Sequence, residues 1–166
     1  MNPNSTLTLE THRIAEAKRF LQTTIPAATS KLLAVTKPHW GKMSAQHMIE
    51  HLYTAVVSST IIKNTPPIPP NSRQEEFKNI LIYSVEPMAK NLDNPAFRFG
   101  LPEYTNPTII EAKTKLLSSL ERFFEIYQGK DDAYNFNPFL GDLQAQEILI
   151  FHYKHFKHHY TQFGLI

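Results

Sequence analysis

The chain contains no cysteine. Disulfide staples, thiolate metal ligands and cysteine nucleophiles are therefore excluded, and any reactive sulfur must arrive from outside the chain. It also lacks a surplus of either charge. With 17 basic and 15 acidic residues the formal balance is +2, too even to make nucleic acid or an anionic membrane the main partner. No apolar run approaches the roughly 20 residues that cross a bilayer. The opening residues, MNPNSTLTLE, are polar and contain no apolar core of a secretory signal. A cytoplasmic, non-membrane protein is the expectation. β-Branched alternation never persists for more than a few residues, so sheet signals are scarce.

What the sequence does contain is enough apolar material for a core. Hydrophobic residues make up 42% and charged residues 19% of 166 positions. That composition suits an ordinary globular chain, and its length suits one domain over residues 1–166. Helical spacing of Ile14, Ala17 and Leu21 predicts a first helix over about Glu10–Gln22, interrupted where Pro26 removes a donor, with a short piece resuming over Thr29–Val35. Ser44 is a good N-cap for a helix of about five turns that ends at the four prolines of NTPPIPPNS. RQEEFKNILIY predicts a shorter helix. Pro107 opens another, with Leu116, Leu117, Leu120, Phe123 and Phe124 on one stripe. Asp142 is expected to cap the last helix, which runs towards Phe163. Four substantial helices with long connections predict an all-α fold, a four-helix bundle.

The last helix holds the informative cluster: FHYKHFKHHYTQFG carries four of the eight histidines. On a wheel at about 100° per residue, Leu149, Tyr153, Phe156, Tyr160 and Phe163 form the apolar face, and Lys154, Lys157 and Thr161 fall towards water. His152, His155, His159 and Gln162 lie beside the apolar arc, while His158 sits further round on the solvated side. Residues four apart on a helix have Cβ atoms about 5–6 Å apart, so His155 and His159 can converge on one ion. His152 and Gln162 become candidate hydrogen-bond partners or pocket residues. A third ligand is needed, and SAQHMIEHL offers His47 and His51, again four apart. His51 lies deeper in its helix, whereas His47, near the N-terminal end, suits the surface or the periphery of the site. Three neutral imidazoles with an open position form the ligand set of a catalytic zinc-type site.

These stretches, GKMSAQHMIEHL preceded by a tryptophan and NPFLGDLQAQEILIFHYKHFKHHYTQFGL near the C-terminus, resemble the DinB-like superfamily, most closely its DUF1569-type branch. The likeness spans about Lys37–Leu165. In that pattern one histidine on an early helix joins H-x-x-x-H and a glutamine three residues later on the last helix. Here those positions are His51, His155, His159 and Gln162. The resemblance implies an up-down-down-up four-helix bundle, often homodimeric, with three histidines holding zinc or nickel. It further implies a metal-dependent enzyme acting on a small molecule, as a transferase of a low-molecular-weight thiol or a related hydrolase or isomerase.

Other readings compete. HMIEH fits the short H-x-x-E-H protease signature, but that assignment leaves the C-terminal histidines unexplained. His12 and His39 belong to no pattern. A lone histidine beside an apolar face is usually a satisfied core residue, and a non-catalytic dimeric bundle with a structural histidine cluster is the alternative function. No general base stands out: Glu50 points about 100° from His51, Glu147 is two turns from His155, and Gln162 and Tyr53 are candidate orienting groups only. The Pro-rich connection from Glu86 to Asn106 is a candidate cover for the site, with Phe97, Phe99 and Tyr104 lining a pocket.

Overall fold

The computed structural model describes residues 9–90 and 97–166. Most of these residues are helical, and a small two-stranded sheet is inserted before the last helix.

The first helix does not break at Pro26. Helix α1 (Thr11–Arg19) widens into a π-helical turn at Phe20–Thr24 and continues as α2 (Ile25–Lys31). The wider turn restarts the α ladder so that Pro26 falls in the first turn of α2, where its missing N–H would have had no helical partner anyway. The expected restart at Thr29 is therefore absent: Leu32 is already extended. Ser44 does cap helix α3 (Ala45–Ser59), accepting from the His47 backbone N–H at 3.2 Å. Asn71 caps α4 (Ser72–Lys78), which ends in a second π turn at Asn79–Tyr83. Thr108, following Pro107, caps α5 (Ile109–Tyr127).

Two expectations fail around Asp142. The chain there forms an antiparallel hairpin, β1 (Tyr134–Asn137) and β2 (Gly141–Gln144), with Asn137 opposite Gly141. Asn137 Oδ1 accepts from the N–H groups of Phe139 and Leu140 at 2.9 and 3.1 Å, and Gly141 takes φ +73°, closing the loop by side-chain chemistry. Helix α6 (Ala145–Gln162) is capped not by Asp142 but by Gln144, whose N–H donates to Glu147 Oε2 at 2.8 Å in a capping box. Asp142 instead binds Lys63 and the Ile68 N–H, tying the proline-rich linker to the hairpin.

Helix α3 lies along α5, and α6 packs on α1 and α3. Leu21, Ile25, Met48, Leu52, Leu116, Phe156 and Tyr160 are fully buried at this meeting. Tyr160 donates to Thr29 Oγ1, which in turn donates to the Ile25 carbonyl, so the phenol enters the core with its polar end satisfied. Beside the core, Lys78 Nζ donates to Glu147 Oε1 at 3.1 Å and Tyr83 adds a bond to the same oxygen at 2.7 Å, fixing α4 to the start of α6.

Lys154 also departs from the wheel. It is buried, with Nζ donating to the carbonyls of Ile80 and Ser84 at 2.9 and 3.0 Å. The end of the α4 segment covers that side of α6 and offers the unpaired carbonyls of a helix terminus, which a lysine head can satisfy. Lys157 and Thr161 are exposed. Among the described residues, no helix is long and apolar enough to cross a membrane.

Candidate metal centre

The packing of α3 against α6 brings one imidazole from the first helix to two from the second. His51 Nε2 lies 2.9 Å from His155 Nε2, and His159 Nε2 lies 3.2 Å from the same atom. One nitrogen from each ring falls within 4.8 Å of the others. The rings meet nearly edge to face, with interplanar angles of 87°, 63° and 80°. A zinc–nitrogen bond of about 2.0–2.1 Å places two ligand nitrogens roughly 2.9–3.4 Å apart for angles between 90° and tetrahedral. The two short separations fall in that interval. Among the described residues, no carboxylate joins the group.

Hydrogen bonding fixes which nitrogen of His159 faces the centre. Gln162 Nε2 donates to the Trp40 carbonyl at 2.8 Å, which turns Gln162 Oε1 towards His159 Nδ1, also at 2.8 Å. An amide oxygen only accepts, so His159 carries its proton on Nδ1 and presents a lone pair at Nε2. His155 Nε2 must then donate to His159 if that contact is a hydrogen bond. Its single proton cannot also serve His51. One of the two short contacts is thus left unmatched among neutral rings, whereas a cation at the shared point would satisfy all three lone pairs. His155 Nδ1 is buried and has no partner among the described residues.

Burial keeps the rings neutral, the form that binds metals. It pushes His51 down to about 4, with the charge of His158 adding to the effect. It pushes His159 down to about 3, with His51 contributing and Gln162 opposing. His155 is held well below the usual range by burial and then by its two imidazole neighbours.

The loop before α3 supports this arrangement more than the sequence suggested. His39 N–H donates to the Gln162 backbone carbonyl at 2.7 Å, so residues 39–41 dock on the end of α6. Gly41 adopts φ +82°, and a Cβ there would come within 2.7 Å of Gln162 Nε2. Glycine is required both by the backbone conformation and by the approach of the amide. His39, which fitted no pattern, packs against Gly164. The only advance sign was the Trp-Gly pair before the helix cap.

The remaining candidates divide. His47 is no part of the trio: Nδ1 contacts Ser44 Oγ at 2.8 Å and Nε2 contacts the Pro102 carbonyl at 3.0 Å. His152 is fully buried and packs against Phe123 and Phe151, with Nε2 2.7 Å from Ser59 Oγ. Ser59 spends its proton on the Val56 carbonyl, so His152 donates, leaving Nδ1 without a partner among the described residues. It behaves as a core histidine, and burial pushes it down to about 3. His158 is half-buried rather than solvated, its ring edge-on to Trp40 at 5.8 Å. Tyr53 lines a shallow depression between α3 and α5.

Part of the Pro-rich connection does cover the centre. The Phe97 ring lies 5.5 Å from His51, and Phe151 lies 5.4 Å from His155, giving the site two apolar walls. Tyr104 sits on His47 and contacts Ser44 Oγ at 2.8 Å. Phe99 is 96% exposed and lines nothing. Residues 91–96 of that connection lie outside the described residues. Glu50 anchors its far end: the carboxylate accepts from the backbone N–H groups of Thr105 and Asn106 at 2.8 and 3.0 Å, and from Gln46 Nε2 at 3.0 Å. Burial alone would raise this carboxyl, but these bonds win and hold it near 2.

Compared with known proteins, the chain matches no family model, no curated protein and no solved structure.

Proposed function

We propose that this protein is a metal-dependent enzyme of the DinB-like type, built on an up-down-down-up four-helix bundle and holding zinc or nickel through His51, His155 and His159. The observation that carries the reading is the convergence of three neutral imidazole nitrogens, two of them 2.9 and 3.2 Å from the third, with no hydrogen-bond pattern that satisfies them. An all-imidazole set suits zinc or nickel. When bound, such an ion acts as a Lewis acid that lowers the pKa of a coordinated thiol or water.

The chain's own groups would do the rest. Gln162 sets the tautomer and angle of His159, as partners of ligating histidines generally do. Phe97 and Phe151 exclude water beside the rings and favour an apolar substrate portion. Glu50 is held by the loop it anchors and Glu147 by Lys78 and Tyr83, so neither serves as a general base. A reaction that draws its nucleophile from an external low-molecular-weight thiol, or from water, fits a chain without cysteine and a site with no free carboxylate among the described residues.

Metal analysis of untagged protein tests this. About one equivalent of zinc or nickel per chain is expected, lost in His51→Ala and in His155→Ala while far-UV circular dichroism retains its helical signal. Wild-type protein that takes up no divalent ion, or variants that keep it, would refute the assignment. Turnover of a thiol with a generic electrophile should then require the loaded protein. Metal binding without turnover across a panel of thiols would favour a non-catalytic module.

A further inference from the structure

A cavity of about 780 Å3 opens between α1 and α5, with the start of α6 at one side. None of the three convergent imidazoles lines it. Leu21, Leu120, Phe123 and Leu149 lie buried beneath it, and the partly exposed Ile14, Leu117 and Phe124 give it apolar walls. A volume of this order suits a small organic ligand.

The rim is charged in one sense. Glu121, Glu125 and Asp131 line it against a single Lys18. The first two stand on the last two turns of α5, which has no basic residue in its final turn. The C-terminal carbonyls of a helix carry partial negative charge, so acids there are locally unfavourable and a cation is favoured. Arg122 reaches Glu125 at 3.4 Å as an exposed pair, which offsets this only weakly. A sequence that keeps carboxylates at the negative end of a helix, above an apolar trough, is stabilised by an occupant with a positive head and an apolar body.

We infer that the α1–α5 trough is a binding site for an amphiphilic organic cation, its apolar part against Ile14, Leu117 and Phe124 and its charged head among Glu121, Glu125 and Asp131. This site is independent of the metal centre.

Isothermal titration of the full chain with dodecyltrimethylammonium below its micelle concentration tests the assignment, with dodecyl sulfate and dodecanol as anionic and neutral counterparts. Saturable binding at one site is expected for the cation, at least tenfold tighter than for the sulfate. Glu121→Lys combined with Asp131→Lys changes only exposed positions. It should weaken the cation at least tenfold and leave dodecanol unchanged. Leu117→Trp, which fills the trough, should weaken both, with circular dichroism confirming the fold. No saturable cation binding, equal affinity for cation and anion, or indifference to the charge reversal would overturn the proposal. So would tight binding of a basic amphipathic peptide by a protein that ignores the small cation, which would make the trough a protein-docking surface.

Discussion

Replacing Gln162 with leucine isolates the group that aims His159. The side chain is 4% exposed and makes two hydrogen bonds of 2.8 Å, one to His159 Nδ1 and one to the Trp40 carbonyl. Leucine fills a similar volume and satisfies neither. Each buried polar group left unpaired costs about 1–3 kcal/mol. A total near 2–4 kcal/mol corresponds to a melting-temperature drop of roughly 5–15 °C in a chain of this length. The same change frees the His159 ring to rotate and to swap tautomers, which typically weakens metal binding by about 10–100-fold. Competition against a chromophoric zinc chelator reads that loss directly, in protein shown to be folded at the assay temperature. Gly41→Ala should act in the same direction, because its Cβ would displace the same amide. The two changes should be strongly non-additive when combined. Zinc affinity within twofold of wild type in folded Gln162→Leu would refute the reasoning.

Further outcomes follow from the other buried polar groups. Glu50→Gln should destabilise the protein at neutral pH, and acid titration fixes the sign. Its folded pKa near 2 lies below the ordinary 4.5, so its contribution is complete above about 4.5 and fades as pH falls towards 2. Stability curves of wild type and variant should converge across that window; a constant gap would argue against it. Lys78→Met should cost about 3–5 kcal/mol in urea unfolding by leaving Glu147 without its cation, and adding Glu147→Leu should not restore it, because Tyr83 and the Gln144 N–H then lose their acceptor. Ser59→Ala should lower stability by about 1–3 kcal/mol by removing the acceptor of His152, with metal stoichiometry unchanged. Metal loss in that variant would move His152 from the core to the centre.

Much of the helical framework could be read locally because caps and breakers act over a few residues. Ser44 and the Thr108 region mark their helices by chemistry within one turn, and the placement of His51, His155 and His159 on inward faces follows from helical period alone. What stayed hidden depends on distant neighbours. Lys154 reads as solvated until the end of α4 is laid over it. Pro26 reads as a break because a π turn has no sequence signature of its own. The hairpin before α6 is held by the Asn137 side chain and by Asp142, whose partners Lys63 and Ile68 come from a linker more than 70 residues earlier. The docking of residues 39–41 on Gln162 had no sign beyond the Trp-Gly pair for the same reason, although it decides how His159 is presented.

His51 and His155 are separated by 104 positions along the chain. An ion gripped by both would act as a cross-link, closing a very large loop in a polypeptide with no thiols to do so. By analogy with a covalent bridge of that span, confining the unfolded chain in this way is worth up to about 4–5 kcal/mol. Chelator treatment should therefore loosen the joint between the early and late helices first, and slow hydrogen exchange there should report its release.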